Sequence, residues 1–270
     1  MQLFVLDEAD RMLDMGFVDD ILKIVQQLPK NCQRIMFSAT MPKKIRELAV
    51  QLLNDPVEVQ IAVSKPAEKI RQMAYVCYEP QKLKIIQHIF QNGNLQRVII
   101  FSGKKERVKE VTRKLKSMHI NCDQMHSDLS QAERDEAMYR FKAGQTDVLV
   151  ATDIVARGID IDDIRLVINY DVPSDSEDYV HRIGRTARAD RDGEAITFVS
   201  DTDIYRFQGI EHFLGKEVEK IALPEGLGEA PAYTKREKKP NTRRNGRWHS
   251  KGSGKGKPYG KPKGKGKPKA

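Results

Sequence analysis

The sequence predicts an α/β fold in which a parallel β-sheet carries helices on both faces. Short apolar runs alternate with segments of helical periodicity from Leu3 to Leu223, and this βαβα succession favours a parallel sheet. Runs such as Leu3–Leu6 are continuously apolar, which is typical of strands covered on both faces. The predicted strands are Leu3–Leu6, Arg34–Phe37, Val57–Ala62, Met73–Tyr78, Val98–Phe101, Cys122–His126, Val148–Ala151, Leu166–Tyr170 and Ala195–Val199.

Helix signals separate these strands. Apolar residues at i, i+3, i+4 and i+7 predict a helix over residues 21–28 that ends at Pro29. The same spacing recurs at Val108, Val111 and Leu115. Ser130 and Glu133 form a predicted capping box at the start of a further helix, and Gly144 stands where a left-handed cap would end it.

The alternation is interrupted by the polar stretch SKPAEKIRQ, which predicts a linker over residues 63–72. Residues 1–62 form a block too small to bury much surface by itself. Residues 73–223 are long enough for a complete α/β domain. Gly, Pro and Lys dominate residues 224–270, and this composition predicts a disordered tail.

The basic character of the chain is concentrated in that tail. The 270 residues carry a net charge of +9, but residues 233–270 hold 15 Lys and Arg against one acid, so they carry +14 and the remainder carries −5. The scattered Cys32, Cys77 and Cys122 predict buried free thiols in a reducing cytoplasm, not a disulfide framework or a metal site. The apolar runs are all far shorter than the roughly 20 residues of a membrane span, so no membrane partner is expected.

The first strand runs directly into the acidic tetrapeptide Asp-Glu-Ala-Asp, residues 7–10. Ligands of open α/β sheets bind beyond the carboxyl ends of the strands, where Asp7 and Glu8 are expected to project. Asp7 is suited to hold Mg²⁺, and Glu8 is suited to orient or deprotonate a water molecule. The alternative for the tetrapeptide alone is a solvated acidic turn.

Two further strand ends carry polar groups. Ser38 and Thr40 follow the RIMF strand, where they are suited to bind a phosphate or a carboxylate, or to cap the helix that begins at Pro42. Thr152 and Asp153 leave the strand that ends at Ala151. Farther along this turn, Gly158 permits close approach to a phosphate, and Asp160 is suited to accept a hydrogen bond from a ribose; a purely structural turn is the alternative.

The segment HRIGRTAR, residues 181–188, places three arginines and a histidine within eight positions. Arg185 and Arg188 are three residues apart, so on a helical turn both guanidinium groups would face one way. A forked pair of cations is well matched to phosphate oxygens. The alternative is a solvated, basic helix end.

Taken in order, DEAD, SAT, the IIFSG turn, Gln131 with Arg134, ATDIVARGID and HRIGRTAR resemble the motifs of the DEAD-box RNA helicases. The resemblance covers residues 3–223, and the phrases DRMLDMGF and MFSATMP are most similar to the bacterial RhlE type. It implies RecA-like domains that close on ATP and RNA: residues 1–62 as the C-terminal part of the first and residues 73–223 as the complete second. The implied function is ATP-dependent unwinding or remodelling of short RNA duplexes and ribonucleoproteins.

The resemblance also implies a role for each matching position. The nucleotide set would be Asp7 for Mg²⁺, Glu8 for the attacking water, Gly158 and Asp160 for ATP, and Arg185 and Arg188 for the γ-phosphate. Asp10, Ser38, Thr40 and His181 would couple hydrolysis to domain closure. The RNA backbone would be bound by Ser102, Gly103, Arg134, Thr152 and Asp153, with Gln131 bracing that patch. Backbone and 2′-hydroxyl recognition suits a sequence-indifferent unwinder.

A phosphate-binding loop of the form G-x₄-G-K-[ST] does not occur in the 270 residues, because none of the seven Gly-Lys pairs is followed by Ser or Thr. We therefore expect this chain to be the C-terminal portion of a helicase and to lack ATPase activity by itself. Two alternatives remain open. One is a non-enzymatic RNA-binding or annealing module, and the other is a DNA helicase of the same superfamily.

Overall fold

The computed structural model describes residues 1–38, 41–59, 70–91, 95–153, 164–186 and 193–234. Met1–Thr234 forms one compact unit. Residues 235–270, which include most of the predicted tail, are outside the described part of the chain. Among the described residues, no helix is long and apolar enough to cross a membrane.

The N-terminal part of the compact unit is built on a small parallel sheet. Strands β1 (Leu3–Leu6) and β2 (Gln33–Met36) pair in register, with Leu3 opposite Gln33 and Leu6 opposite Met36. Three helices accompany them: α1 (Ala9–Asp14), α2 (Val18–Gln26) and α3 (Lys43–Leu52). Their shared core contains Leu6, Ala9, Ile21, Val25, Leu48 and Leu52.

A second sheet has seven parallel strands in the order β5-β6-β4-β7-β8-β3-β9. The strands are β3 (Ile70–Val76), β4 (Val98–Ser102), β5 (Cys122–Met125), β6 (Val148–Thr152), β7 (Leu166–Asn169), β8 (Gly193–Val199) and β9 (Glu219–Ile221). Since all pairs are parallel, the carboxyl ends of the strands meet at one edge. Most of the predicted site residues that lie in this part of the chain follow those ends.

Helices cover both faces of the second sheet. In the described part of the chain these helices are α4 (Lys82–Gln91, after a 3₁₀ turn Glu79–Gln81), α5 (Lys105–Ser117), α6 (Gln131–Lys142), α7 (Ser176–Ile183) and α8 (Ile204–Leu214). Ile100 of β4 packs in one core with Ile85 of α4 and Val111 of α5. Its neighbour Phe101 packs on the opposite face with Phe141 of α6. The predicted parallel α/β fold is therefore confirmed.

Local signals were accurate where both partners are close in sequence. Ser130 Oγ accepts the Glu133 N–H at 3.3 Å, and the Glu133 carboxylate accepts the Ser130 N–H at 2.7 Å, which forms the predicted capping box. Gly144 has the predicted left-handed conformation, with φ of 71°. Cys32, Cys77 and Cys122 are buried free thiols, as predicted.

Three details of the strand predictions require correction. Strand β3 begins at Ile70, inside the predicted linker 63–72, instead of at Met73. Residues 57–59 of the predicted strand Val57–Ala62 are not in a strand, and residues 60–62 are outside the described part. An apolar run forms a strand only where neighbouring strands pair with it and other elements cover it. Val57 is 90% exposed, so this run has no such cover. Strand β9 was not predicted, because its three residues, Glu-Lys-Ile, carry almost no apolar signal.

The start of the tail also differs from the prediction, because residues 224–234 dock on the domain. The side-chain amide of Gln81 donates hydrogen bonds to the carbonyls of Leu227 and Glu229, at 2.7 and 3.1 Å. Tyr233 donates to the Glu211 carboxylate at 2.5 Å. This segment is too polar to form its own core, but it can still pack on a core built by other elements.

Candidate functional site

The acidic motif lies in a sharp turn between β1 and α1. Glu8 has a left-handed backbone with φ of 49°, which for a residue other than Gly costs on the order of 1–3 kcal/mol. The turn is held because Asp7 Oδ1 accepts the Glu8 N–H at 2.9 Å and the Phe37 carbonyl accepts the Ala9 N–H at 3.0 Å. Asp7 is exposed and Glu8 is half-buried, so both carboxylates are accessible to solvent at the end of β1.

The second motif is tied directly to the first. Ser38 follows β2, and its hydroxyl accepts the backbone N–H of Asp10 at 3.2 Å across 28 residues of sequence. The parallel pairing of β1 and β2 brings the ends of these two strands together, and this bond joins the residues that follow them. The structure thus brings together Asp10 and Ser38 of the predicted coupling set. Thr40 of that set, and Gly158, Asp160 and Arg188 of the nucleotide set, lie outside the described residues.

The basic motif begins on helix α7 and continues beyond it. Asp175 caps the helix by accepting the Asp178 N–H at 2.7 Å, and the helix ends at Ile183. Arg185 therefore lies after the helix, where the sequence suggested a helical turn carrying both arginines. The last turn tightens because the Arg182 and Ile183 carbonyls accept the N–H groups of Arg185 and Thr186, three residues on.

Residues from the acidic and basic motifs line one pocket, formed by Glu8, Phe101, Asp153, Asp178, His181, Arg182 and Arg185. An ion pair between Arg11 of α1 and Asp178 of α7 joins the two sides. Its side chains are only 18% and 7% exposed, so water screens this pair little. The predicted catalytic residues Glu8 and Arg185, and the coupling residue His181, are thus brought to one place although they are distant in sequence.

Two acidic residues beside this pocket have raised pKa values. Burial raises the pKa of Glu177, and the carboxylates of Asp175, Asp10 and Asp14 raise it further, while His181 opposes them. The pKa of Asp175 is also raised, first by burial, although the N–H of Asp178 and the charge of Arg11 lower it. Both carboxyl groups therefore keep their protons to a higher pH than free carboxyl groups do.

Arg182 is a structural residue that the sequence did not single out. It is 4% exposed, and it binds Asp153 through two hydrogen bonds of 2.6 Å each. Asp153 was expected to bind the RNA backbone, and in the structure both of its carboxylate oxygens accept from Arg182. A long-range pairing of this kind leaves no periodic signal. The only hint was one more arginine in the basic motif than the two assigned to phosphate.

The remaining predicted RNA residues follow β4, β5 and β6, which are neighbours in the sheet. Ser102 and Thr152 are opposite each other in the β4–β6 register. Gln131 and Arg134 lie in the first turn of α6, where Arg134 donates to the Gln131 side-chain oxygen at 3.4 Å. Gln131 in turn donates to Asp135 at 2.8 Å, so it links Arg134 to the rest of the helix.

Two lysines form ion pairs with one aspartate beside this patch. Asp128, in the loop after β5, accepts hydrogen bonds from Lys105 at 2.7 Å and Lys109 at 2.6 Å, both on α5. These bonds lower the pKa of the Asp128 carboxyl to about 2. The β4–α5 and β5–α6 connections are thereby joined at the sheet edge where the predicted RNA residues lie.

The acidic turn suits Mg²⁺ bound together with phosphates. Mg²⁺ keeps much of its water and typically uses one or two carboxylates plus phosphate oxygens. Asp7 offers an exposed carboxylate of this kind. Among the described residues there is no group of three or more His, Cys, Asp or Glu that would hold a metal without a nucleotide.

Comparison with known proteins identifies the family from both parts of the chain. Residues 1–48 match the family described as DEAD/DEAH box helicase. Residues 81–190 match the family described as helicase conserved C-terminal domain. The two matches place the acidic motif in the first family and the basic motif in the second.

Curated relatives include proteins named ATP-dependent RNA helicase eIF4A. The one from Phaeosphaeria nodorum is 38% identical over 226 residues, which is 83% of this chain and 57% of the relative. The one from Candida albicans is 37% identical over 230 residues, with 84% and 57% covered. The chain thus spans little more than half the length of these relatives.

Solved structures of DEAD-box proteins are also similar to this chain. Dbp5 of S. cerevisiae bound to RNA and ADP BeF3 has a TM-score of 0.74 and 33% identity, with 82% of this chain and 59% of that chain covered. The E. coli DEAD-box protein SrmB, bound to regulator of ribonuclease activity A, has a TM-score of 0.54 and 34% identity. That match covers 60% of this chain and 96% of the SrmB chain. The chain therefore belongs to the DEAD-box helicase family.

Proposed function

We propose that this chain forms part of an ATP-dependent RNA helicase that unwinds or remodels short RNA duplexes and ribonucleoproteins. The observation that carries the proposal is that Glu8, His181 and Arg185 line the same pocket. The carboxylate that would orient water, on Glu8, and the guanidinium that would bind phosphate, on Arg185, therefore lie at one site. The names of the eIF4A relatives and the RNA and nucleotide bound to Dbp5 support it.

Two residues of the pocket, Glu8 and Arg185, have proposed roles in phosphoryl transfer, which depends mainly on positioning and on charge stabilisation. Glu8, held by its strained turn, orients the attacking water. Arg185 places its guanidinium against the charge that develops on the transferred phosphoryl group. Asp7 would hold Mg²⁺, which would supply positive charge to the phosphate oxygens. Gly158, Asp160 and Arg188 complete the nucleotide set in this proposal.

Coupling between nucleotide and RNA would follow the observed contacts. Asp10 and Ser38 are hydrogen-bonded, and His181 reaches the same pocket from α7. Thr40 is the fourth member of this set. RNA would lie across the ends of β4, β5 and β6, with its backbone at Ser102, Gly103, Arg134, Thr152 and Asp153. The DRMLDMGF and MFSATMP phrases support the bacterial RhlE type, and the free cysteines support a cytoplasmic location.

The test uses a protein in which these residues are joined to a phosphate-binding loop. Glu8→Gln removes the base while keeping the size of the side chain, so RNA-stimulated ATP hydrolysis should fall by about 10²-fold or more. Lys23→Gln, an exposed change on α2, is the matched control. ATP hydrolysis that survives Glu8→Gln would overturn the proposed role of Glu8.

The same preparation decides between the proposal and its alternatives. RNA, and not DNA of the same sequence, should stimulate ATP hydrolysis. Stimulation by DNA would favour a DNA helicase of the superfamily. A non-enzymatic RNA-binding or annealing module is the other alternative. Annealing of complementary RNA strands without ATP, in a protein that never hydrolyses ATP, would support that module.

A further inference from the structure

A carboxylate lies directly beneath the turn that follows β4. Asp171, just after β7, accepts the Ser102 hydroxyl at 2.7 Å and the Gly103 N–H at 2.9 Å, both with Oδ2. These are two of the residues proposed to bind the RNA backbone. A carboxylate in this position orients both donors, but its negative charge also faces the place where RNA phosphates would bind.

Lys82 supplies the opposite charge from below. Its side chain is 1% exposed, and its Nζ lies 3.1 Å from Asp171 Oδ1 and 2.9 Å from Glu79. It also lies over the Tyr170 ring, 5.2 Å from the centroid. A lysine this deeply buried is rare unless it is paired, and here the pairing uses the Asp171 oxygen that the turn leaves open.

We propose that Lys82 is a positioning residue for RNA binding: it neutralises Asp171, so that this carboxylate can hold Ser102 and Gly103 in place without repelling RNA phosphates. The inference rests on the proposed function of these two residues. It assigns a role to a buried lysine that neither touches RNA nor lies in the nucleotide pocket.

The electrostatics around Asp171 agree with this assignment. Burial alone would raise the pKa of Asp171, but Lys82, the Ser102 hydroxyl and the Gly103 N–H outweigh it, so the pKa lies below its usual range. Glu79 shares Lys82 and is itself paired with Arg107 at 3.0 Å. Arg182 donates to the backbone carbonyl of Asp171 at 2.9 Å, and its charge is taken up by Asp153.

The test follows the Gly103 amide by NMR in the full chain labelled with ¹⁵N-glycine. Gly103→Ala assigns the signal, since an added Cβ would meet only Asp171 Oδ2 at an ordinary 3.9 Å. In the wild type, the Gly103 signal should not change between pH 5 and 8. Lys82→Met should raise the pKa of Asp171, because the paired positive charge is lost, so the Gly103 signal should titrate in the acidic part of this range.

RNA titration of the same samples gives the functional readout. At pH 7.5, Lys82→Met should weaken binding of a short oligouridine, read at Gly103, by about fivefold, the scale of one like-charge contact in water. Lys82→Met with Asp171→Asn should restore both the flat pH profile and the affinity. Lys84→Met, an exposed change on the same helix, should behave as the wild type.

The outcomes distinguish the role of Lys82 from RNA binding at the turn after β4. If Lys82→Met matches Lys84→Met in both readouts, Lys82 is not a positioning residue. If RNA never shifts the Gly103 signal in the wild type, RNA binding at this turn is wrong, and the proposed function loses that site. Lys82→Gln keeps a donor toward Asp171 without the charge, and it replaces the methionine variant if circular dichroism shows that variant to be unfolded.

Discussion

Arg182 Nε lies 2.6 Å from Asp153 Oδ1, and Arg182 Nη2 lies 2.6 Å from Asp153 Oδ2. The remaining guanidinium nitrogen donates to Asn169 Oδ1 at 3.1 Å and to the Asp171 carbonyl at 2.9 Å. The same group lies 5.3 Å from the centroid of the Phe101 ring. One side chain of α7 therefore ties together the ends of β4, β6 and β7.

Replacing Arg182 by Ala should reduce the free energy of unfolding by about 3–5 kcal/mol. The reason is that Asp153 would be left without its partner at a largely buried site. Arg182→Lys should recover only part of this loss, because an ammonium cannot form two parallel bonds. Urea unfolding of the full chain measures both variants, and Arg113→Lys on the exposed side of α5 is the control. Equal stability of Arg182→Lys and the wild type would contradict the two-pronged geometry.

The Arg11–Asp178 ion pair should show coupling between the two sheets. Arg11→Ala and Asp178→Ala should each destabilise the chain, and the double variant should lose about 1 kcal/mol less than the sum. Asp178 also donates its N–H to Asp175, so the cycle isolates the side-chain term only if α7 still forms. Strictly additive losses, with helix content unchanged, would show that the pair does not link α1 to α7.

The sequence predicts those parts of the fold in which the determining contacts are local. Most of the apolar runs are strands in the structure, Val57–Val59 being the exception, and Ser130, Glu133 and Gly144 form the caps expected of them. The order of the seven strands was not predicted, because it depends on which buried faces meet after the chain has folded back. Residues 224–234 were misjudged for a related reason, since their partners Gln81 and Glu211 lie far away in sequence.

In the candidate site, too, the short sequence motifs were informative and the long-range contacts were not. The motifs DEAD, SAT and HRIGRTAR predicted which residues would meet, and Glu8, His181 and Arg185 do line one pocket. The ion pairs around the site were not predicted, neither Arg11 with Asp178 at this pocket nor Lys82 with Asp171 beneath the turn after β4. A single lysine inside an amphipathic helix has no signature that distinguishes it from a solvated one.

Arg185 should act on the transition state more than on substrate binding. In a protein joined to a phosphate-binding loop, Arg185→Ala should lower kcat by on the order of 10³-fold, the usual scale for an arginine finger. Arg185→Lys should rescue poorly, because a point charge does not reproduce the planar fork. RNA binding without nucleotide should barely change. Steady-state ATPase kinetics and RNA titration test this, and loss of RNA binding with intact turnover would reassign Arg185 to the RNA.

His126 should make the chain less stable in mild acid. It is 1% exposed, and its Nε2 has no hydrogen-bond partner in the described part of the chain. Burial lowers its pKa, as do Lys109 and Lys105, while Asp128 and Glu106 oppose them. The folded state therefore favours neutral imidazole, and stability should be lost as the pH falls below about 6.5, where the unfolded chain takes up the proton first.

His126→Asn removes this titration while keeping an acceptor near the Asp128 N–H. Its urea midpoint should be lower than that of the wild type at pH 7.5 but should fall less between pH 7 and pH 5. His119→Asn is the control, since His119 is exposed and Asn tolerates its positive φ of 60°. Parallel pH profiles for the wild type and His126→Asn would show that other groups cause the acid sensitivity.

The basic tail should supply most of the salt-dependent RNA affinity of the chain. Residues 235–270 contain 15 Lys and Arg with Trp248 and Tyr259 among them, which suits phosphate pairing and base stacking. If about six phosphates of a single strand are neutralised, log K should fall against log salt with a slope of roughly −4. A truncation after Thr234 keeps the Tyr233–Glu211 bond, so it removes charge without undocking residues 224–234. Fluorescence anisotropy with labelled oligouridine should show a flatter slope for the truncated chain. An unchanged slope would place the phosphate contacts on the folded unit, where Lys105, Lys109 and Arg134 are the first cations to replace.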